Sequence, residues 1–188
     1  MKKILLAALT GAALLSPLAA QAENSYVKLD VGQAKYSDGG SVDKTGIALA
    51  FGQALDANWG YEVGYVNFGK VSYNATDAST GNSASGSFQS QALYAAGVGT
   101  LPFNESFSAF GKLGLAVLNT KASGEYRFGS SSGSGTATET KTNLMLGAGL
   151  AYNFTKQLAG TLEYTYYGKV AMDNVSVSTL TVGLKYGF

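Results

Sequence analysis

Apolar residues at every second position constrain the fold of this chain more than any other feature of its sequence. At the C-terminal end Leu180, Val182, Leu184, Tyr186 and Phe188 alternate with threonine, glycine and lysine. Successive side chains of a β-strand point to opposite faces, so this spacing predicts a strand with one apolar and one polar face. The same alternation recurs upstream, which predicts an all-β fold.

Eight segments carry this pattern. They centre on residues 27–32, 46–52, 59–65, 89–100, 112–117, 143–154, 161–166 and 180–188. In segment 89–100 we assign Ala92, Tyr94, Ala96 and Val98 to the apolar face, which leaves Leu93 on the polar side.

The connections between these segments alternate in length. Long polar connections are predicted at 37–44, 70–87, 121–140 and 168–174, and short ones at 53–58, 102–106 and 155–157. Long loops at one end and tight turns at the other are typical of an up-and-down antiparallel barrel with an even number of strands.

The first 22 residues predict a cleaved signal peptide. Lys2 and Lys3 precede an apolar run over residues 4–15, and Ala20-Gln21-Ala22 fits a cleavage site. The apolar run is shorter than the ~20 residues that a membrane-spanning helix needs. We therefore expect residues 1–22 to be removed and residues 23–188 to form one barrel domain.

Composition excludes several classes of function. The sequence has no cysteine and no histidine, so we expect no disulfide framework, no zinc site and no imidazole-based catalysis. No cofactor or metal motif stands out, and a net charge of +1 does not suggest a nucleic-acid partner. These observations predict a protein that is not an enzyme.

Alternation alone leaves open whether the apolar faces point into a soluble barrel or outward into lipid. Only 13% of the residues are charged, and the polar faces consist mainly of small residues, which would make a poor water-facing surface. Small residues do suit the narrow interior of an eight-stranded barrel. We therefore predict that the apolar faces contact lipid.

Charged and aromatic residues support this orientation. Equal numbers of lysines and acids lie on the polar faces, and we predict a network in the lumen formed by Lys28, Asp30, Glu62, Lys112, Glu163 and Lys185. The network is either a structural device or a gated ion path, and the narrow interior favours the first. Aromatic residues near the strand ends resemble two interfacial girdles, with Tyr36 and Phe68 assigned to the loop side.

Four stretches carry a family resemblance: 59–69 (WGYEVGYVNFG), 111–114 (GKLG), 163–168 (EYTYYG) and 184–188 (LKYGF). In order and spacing they resemble the small eight-stranded outer-membrane β-barrel superfamily, particularly the OmpA-like transmembrane domain and opacity-type barrels of the porin family. The resemblance implies an eight-stranded antiparallel transmembrane β-barrel in the cell outer membrane of a Gram-negative bacterium. It implies interior pairs at Glu62, Lys112, Glu163 and Lys185.

The resemblance also has implications for assembly. Leu184, Tyr186 and Phe188 match the family's C-terminal pattern for recognition by the outer-membrane assembly machinery. Because the chain ends at Phe188, we do not expect the peptidoglycan-binding role of the longer members.

Lysines near the predicted strand–loop junctions form a candidate rim. They are Lys35, Lys44, Lys70, Lys121, Lys141 and Lys169. Cations near a membrane surface bind anionic groups, so this rim could contact lipopolysaccharide or simply keep the barrel mouth hydrated. Extending the strand alternation points only Lys35 and Lys121 outward.

The predicted long loops contain candidate anchors for a partner at Tyr73, Phe88, Tyr126, Arg127 and Phe128. The alternative is a flexible, solvated loop. We expect a monomeric barrel that supports envelope integrity or presents loops for adhesion or host contact. Its expected partners are membrane lipid and lipopolysaccharide, the assembly machinery and a host or surface ligand. The alternative function is a narrow passive pore for ions or small solutes.

Overall fold

The computed structural model describes residues 24–37, 41–77, 80–170 and 175–188. The expected signal peptide, residues 1–22, lies outside these residues, so its cleavage remains a prediction. No helix in the described ranges is both long enough and apolar enough to cross a membrane.

Eight antiparallel strands close into a barrel, with each strand paired to its neighbours in sequence and β1 paired to β8. This confirms the predicted fold class. The strands are β1 (Ser25–Ser37), β2 (Ser41–Ala54), β3 (Trp59–Asp77), β4 (Asn82–Pro102), β5 (Phe107–Phe128), β6 (Ser131–Asn153), β7 (Leu158–Lys169) and β8 (Ser176–Gly187).

Large apolar side chains project from the outside of the barrel. Leu49, Leu93, Leu113, Leu144 and Val182 are each more than half exposed. A continuous apolar surface of this kind needs an apolar surrounding, which lipid supplies. Closure of the strand ladder also pairs the backbone groups, which a bilayer core requires.

The predicted face of β4 is wrong. Ala92, Tyr94, Ala96 and Val98 are buried inside the barrel, whereas Leu93 is 63% exposed on the outside. The physical reason is that a filled lumen also needs apolar side chains, so alanine and tyrosine occupy the interior here. The large aliphatic residue, Leu93, marks the lipid side.

The aromatic girdles are also only partly as predicted. Near the short turns Phe103 stacks on Phe107 and Tyr152 contacts Phe154, all at the outer surface or the turns. On the loop side, however, Tyr36 and Phe68 are buried inside the barrel, with 6% and 0% exposure.

Two of the predicted long loops are mostly strand. The intervals 70–87 and 121–140 continue β3–β4 and β5–β6, so these four strands have 19 to 23 residues while the other four have 12 to 14. A membrane-spanning strand needs about 9–11 residues. The long strands therefore continue well beyond the membrane on one side of the barrel.

Candidate functional site: the sealed lumen and the protruding sheet

Five of the six predicted lumen charges meet in one buried network. Lys112 on β5 lies 2.5 Å from Oε1 of Glu62 on β3 and 2.8 Å from Oε2 of Glu163 on β7. Lys28 on β1 lies 3.1 Å from Asp30 and also contacts Oε2 of Glu163. All five residues have at most 5% exposure. Because they come from four strands, the network joins opposite walls of the barrel.

Neutral donors satisfy the remaining carboxylate oxygens. The hydroxyl groups of Tyr94 and Tyr26 donate to Glu62 at 2.6 Å and 2.9 Å. Thr165 donates to Oε1 of Glu163 at 2.6 Å. The sequence interpretation did not find these residues, since it considered charges alone and placed Tyr94 on the outer face.

Lys185, the sixth predicted member, lies apart from the network. Its ammonium group is 5.0 Å from the centroid of the Tyr26 ring, and it has no ion pair within the described part of the chain. It lines a cavity of about 310 Å³ at the short-turn end, whose other lining residues include the network members Lys28, Glu62 and Lys112. The sequence shows only that the lysines and acids on the polar strand faces are equal in number. It could not show that Lys185 makes no ion pair, because the strand register decides which charged side chains meet.

An apolar plug fills the lumen on the loop side of the network. Phe68 contacts Tyr167 edge to face at 5.0 Å, and the Tyr167 ring lies 6.3 Å from the ring of Tyr94. The other fully enclosed members of this plug include Val66, Leu118, Met145, Val170 and Val177. Two different layers, one ionic and one apolar, therefore close the interior.

Close packing leaves little space within these layers. A Cβ atom at Gly183 would lie 2.0 Å from Oδ1 of Asp30, and a Cβ atom at Gly64 would lie 2.6 Å from the ring of Tyr94. The glycines are thus required where a side chain of the directly paired residue on the neighbouring strand lies over the backbone. Within the described ranges no cluster of three acids could hold a metal ion.

The extensions of β3 to β6 form a second feature, which we call the protruding sheet. It comprises residues 70–77, 82–89, 120–128 and 131–141, paired in the order β3-β4-β5-β6. Among the described residues, its β3 and β6 edges have no further strand partner, because pairing with β2 ends at Asn67 and pairing with β7 ends at Leu146. At ~3.3 Å per residue it extends about 25 Å beyond the rest of the barrel rim.

The two faces of the protruding sheet differ in composition. We call the face that continues the lumen side the inner face, since its lowest members Val71 and Phe88 pack against the plug. The remaining inner-face residues are Tyr73, Ala75, Asp77, Asn82, Ala84, Gly86, Thr120, Ala122, Gly124, Tyr126, Phe128, Ser131, Gly133, Gly135, Ala137, Glu139 and Lys141. The outer face consists mainly of serine and threonine, with Glu125 and Arg127.

The predicted anchor residues therefore divide between the two faces. Tyr73, Tyr126 and Phe128 are exposed on the inner face, and Arg127 is exposed on the outer face. Phe88 is half-buried, and its ring lies 5.5 Å from Tyr36 in an edge-on contact.

Two of the six rim lysines, Lys70 and Lys169, take positions that the alternation did not predict. Lys35, Lys70, Lys121 and Lys169 are exposed on the outside, whereas Lys44 and Lys141 are half-buried on the lumen-side face. Lys70 and Lys121 both pair with Gln89, so they lie in one row across three strands.

Two glycine bulges cause this difference. Gly69 and Gly168 have positive φ values of 80° and 81°, and the ladders shift between Asn67 and Lys70 and between Tyr166 and Lys169. Each bulge adds one residue, so the following lysine turns to the outer face. The prediction that only Lys35 and Lys121 point outward is therefore wrong.

The three C-terminal residues of the predicted assembly signal follow one another along the outer face of β8. Leu184 and Tyr186 are more than half exposed, and the rings of Tyr186 and Phe188 are 6.4 Å apart. The backbone amide of Phe188 donates to the carbonyl of Ser25 at 2.9 Å, which ties the C-terminus to the start of β1.

Comparison with known proteins agrees with this architecture. Outer membrane protein A of Yersinia pseudotuberculosis is 27% identical over the whole chain, and the chain spans about half (56%) of that protein's length. Among solved structures, Ail of Yersinia pestis, the attachment invasion locus protein, in complex with the heparin analogue sucrose octasulfate, superposes with a TM-score of 0.58. The two share 21% identity, over 87% of this chain and 97% of Ail.

Neisserial surface protein A superposes with a TM-score of 0.60 at 19% identity, covering 88% of this chain and 98% of that protein. The family described as outer membrane protein beta-barrel domain matches residues 4–188. The chain therefore belongs to the outer membrane protein β-barrel domain family and resides in the outer membrane of a Gram-negative bacterium.

Proposed function

We propose that this protein is a surface protein whose closed barrel holds the protruding sheet outside the cell for contact with a host or surface ligand. The observation that carries the proposal is the extension of four adjacent strands well beyond the membrane, while the other four end near the rim. Long extracellular and short periplasmic connections are the rule for such barrels, so the protruding sheet is on the extracellular side. The likeness to Ail, a protein of attachment and invasion solved with a heparin analogue, supports this role.

A rigid support suits this role. The ion network and the plug hold the barrel walls together, and binding residues on a rigid scaffold lose less entropy when they engage a ligand. The same two layers argue against the alternative function, a passive pore. The proposal includes no catalytic role and no cofactor, in keeping with a sequence that has no histidine and no cysteine.

The proposal extends to the membrane and to assembly. The four outward lysines would contact anionic groups of lipopolysaccharide at the rim. Leu184, Tyr186 and Phe188 would be recognised by the assembly machinery. We propose that the protein acts as a monomer, because its lipid-facing surface surrounds a barrel that closes on itself.

Shortening the protruding sheet tests the main proposal. Val71 pairs with Phe88, and Ala122 pairs with Ala137, so residues 72–87 and 123–136 can each be replaced by a two-residue Asn-Gly turn. Both changes leave the lumen untouched, and a heat-modifiability gel verifies that the barrel still folds. We expect bacteria that express the doubly shortened protein to lose adhesion to host cells.

A matched control replaces the three outer-face residues Ser123, Glu125 and Arg127 by alanine within the full-length sheet. Adhesion equal to that of the unshortened protein, at equal surface abundance of the folded shortened variant, would exclude the protruding sheet as the contact surface.

A further inference from the structure

The aromatic side chains of the inner face lie on glycines of neighbouring strands. A Cβ atom at Gly86 would meet the Tyr73 ring at 2.3 Å, and a Cβ atom at Gly133 would meet the Tyr126 ring at 2.7 Å. The rings therefore lie against the sheet and leave their other faces accessible. Tyr73 is 65% exposed and Tyr126 is 51% exposed.

The surroundings of these rings are small and uncharged. Cross-strand pairing aligns Tyr73 with Gly86, Gly124 and Gly135 on the three following strands. It aligns Tyr126 with Ala75, Ala84 and Gly133. Within the described residues of the inner face from Val71 to the tip, Asp77 is the only charged residue, and it accepts a hydrogen bond from Thr80. Such a surface has no charge complementarity to a polyanion or a polycation.

Polar groups are placed around the edge of this surface. Asn82 lies at the tip, where its Oδ1 accepts the Gly129 amide and its NH2 group supplies donors. The tyrosine hydroxyl groups add donors and acceptors within the surface itself. Tyr73 and Tyr126 lie on strands separated by one strand, so they are spaced by roughly 10 Å across the sheet, which is on the scale of two sugar units.

We infer that the inner face binds a neutral oligosaccharide, with pyranose rings stacked on Tyr73 and Tyr126. The face of an aromatic ring is electron-rich, and the C–H bonds on one side of a pyranose are polarised toward it. Tyrosine offers a rigid contact area at low entropic cost. The glycines around the two tyrosines have no side chains, which leaves room for one face of a pyranose chair to lie on the tyrosine rings. Hydroxyl groups at the sugar's edge would bond to Asn82 and the tyrosine hydroxyl groups. This inference rests on the proposed function, because it names the ligand class for the protruding sheet.

The test uses the full chain in phosphatidylcholine nanodiscs free of lipopolysaccharide. The probes are an array of unsulfated neutral oligosaccharides containing galactose, glucose, mannose and N-acetylhexosamines, and heparin as the charged comparison. We expect binding to at least one neutral oligosaccharide, with saturation-transfer NMR placing the contact on one face of the sugar ring, and no binding of heparin to the inner face.

Variants assign the site. Tyr73→Ala and Tyr126→Ala should each weaken the binding about tenfold, the scale of one stacking contact. The Tyr73→Phe and Tyr126→Phe variants keep the ring and should stay within about threefold of that affinity. Gly133→Ala would displace the Tyr126 ring without removing it and should also weaken binding. Arg127→Gln on the outer face is the matched control and should have no effect.

The outcomes separate the two proposals. Adhesion that depends on the protruding sheet, without binding to any neutral oligosaccharide on the array, would overturn the inference and keep the proposed function. Binding that survives both alanine variants would also overturn it. Two bacterial strains, one with and one without a neutral lipopolysaccharide O-chain, distinguish the source of the sugar. Equal adhesion by both strains would assign the sugar to the host. Adhesion by only the strain without the O-chain would assign it to the bacterium's own surface glycan. Either source satisfies the inference.

Discussion

The ammonium nitrogen of Lys112 lies 2.5 Å from Oε1 of Glu62, across the lumen and fifty residues away in sequence. It is also 2.8 Å from Glu163, so one cation serves two carboxylates on different strands. The barrel is thus held together by its interior as well as by its strand ladder.

Loss of Lys112 should therefore destabilise the barrel strongly. Lys112→Met leaves Glu62 and Glu163 buried with Lys28 as their remaining cation, and we expect a cost of about 3–5 kcal/mol in the free energy of unfolding. Urea titration in detergent micelles measures this change. Lys121→Met, on the same strand but exposed, is the control and should change stability by less than about 0.5 kcal/mol. Equal stability of the two variants would show that the network contributes little.

The glycine beside Asp30 gives a second stability test. Gly183→Ala places a methyl group 2.0 Å from Oδ1 of Asp30, and we expect a loss of about 1–3 kcal/mol through strain in the network. At Gly97, on the outside, the nearest atom to an added Cβ lies 3.8 Å away. Gly97→Ala should be neutral or slightly stabilising in the same urea titration. A neutral Gly183→Ala would mean that the lumen has room to adjust.

The sealed lumen predicts that the protein does not conduct. The ion network and the plug both cross the interior, so we expect no reproducible current steps when the purified, refolded chain is added to a planar bilayer. A general porin inserted under the same conditions verifies that the assay detects channels. Reproducible open-channel steps would instead support the passive-pore alternative.

The sequence predicts the barrel well wherever one face carries large aliphatic residues. Leucine and valine at every second position contact lipid, and this pattern correctly places β1, β2, β7 and β8. It fails in β4, because the interior there is filled by alanine and tyrosine and the two faces differ little in hydropathy. It also fails beyond the membrane, where serine and glycine alternate on strands that have no lipid face.

Non-local geometry limits the prediction of the site. The lumen charges could be found from their strand positions, since charged residues avoid lipid. The separation of Lys185 from the other five depends on register, which the alternation does not contain. The outward turn of Lys70 and Lys169 depends on Gly69 and Gly168, whose bulges are stabilised by Asn67 and Asn143 through hydrogen bonds that form only in the folded barrel.

The outward lysines give a prediction about lipopolysaccharide. The pair Lys70 and Lys121 lies in one exposed row, and a cation near an anionic surface contributes about 1 kcal/mol. Replacing both by glutamine should therefore weaken lipopolysaccharide binding by about 2 kcal/mol, or about thirtyfold, in a nanodisc titration. Lys44 and Lys141 are the matched pair on the lumen-side face, and their replacement by glutamine should have little effect. Equal losses from the two pairs would contradict a specific contact at the outer rim.

The C-terminal aromatic residue gives a prediction about assembly. Phe188→Ala should reduce the amount of folded protein in the outer membrane of living cells, while the purified variant should still refold in detergent. Phe154→Ala is the control, since it also removes an exposed aromatic side chain near the short turns. Cell-surface protease accessibility measures the amount of folded protein in the outer membrane, and the heat-modifiability gel measures refolding of the purified variant. An unchanged amount of the folded Phe188→Ala variant in cells would show that the assembly machinery does not depend on Phe188.

The bare β6 edge of the protruding sheet has a consequence for how copies of the protein coexist in a crowded membrane. Unpaired strand edges attract one another and can seed fibres. Here the edge is short of β-branched aliphatic residues, contains Gly133 and Gly135, and carries Glu139 and Lys141. These residues weaken pairing between the β6 edges of neighbouring copies. Neighbouring copies should therefore diffuse past each other and not aggregate through edge-to-edge strand pairing.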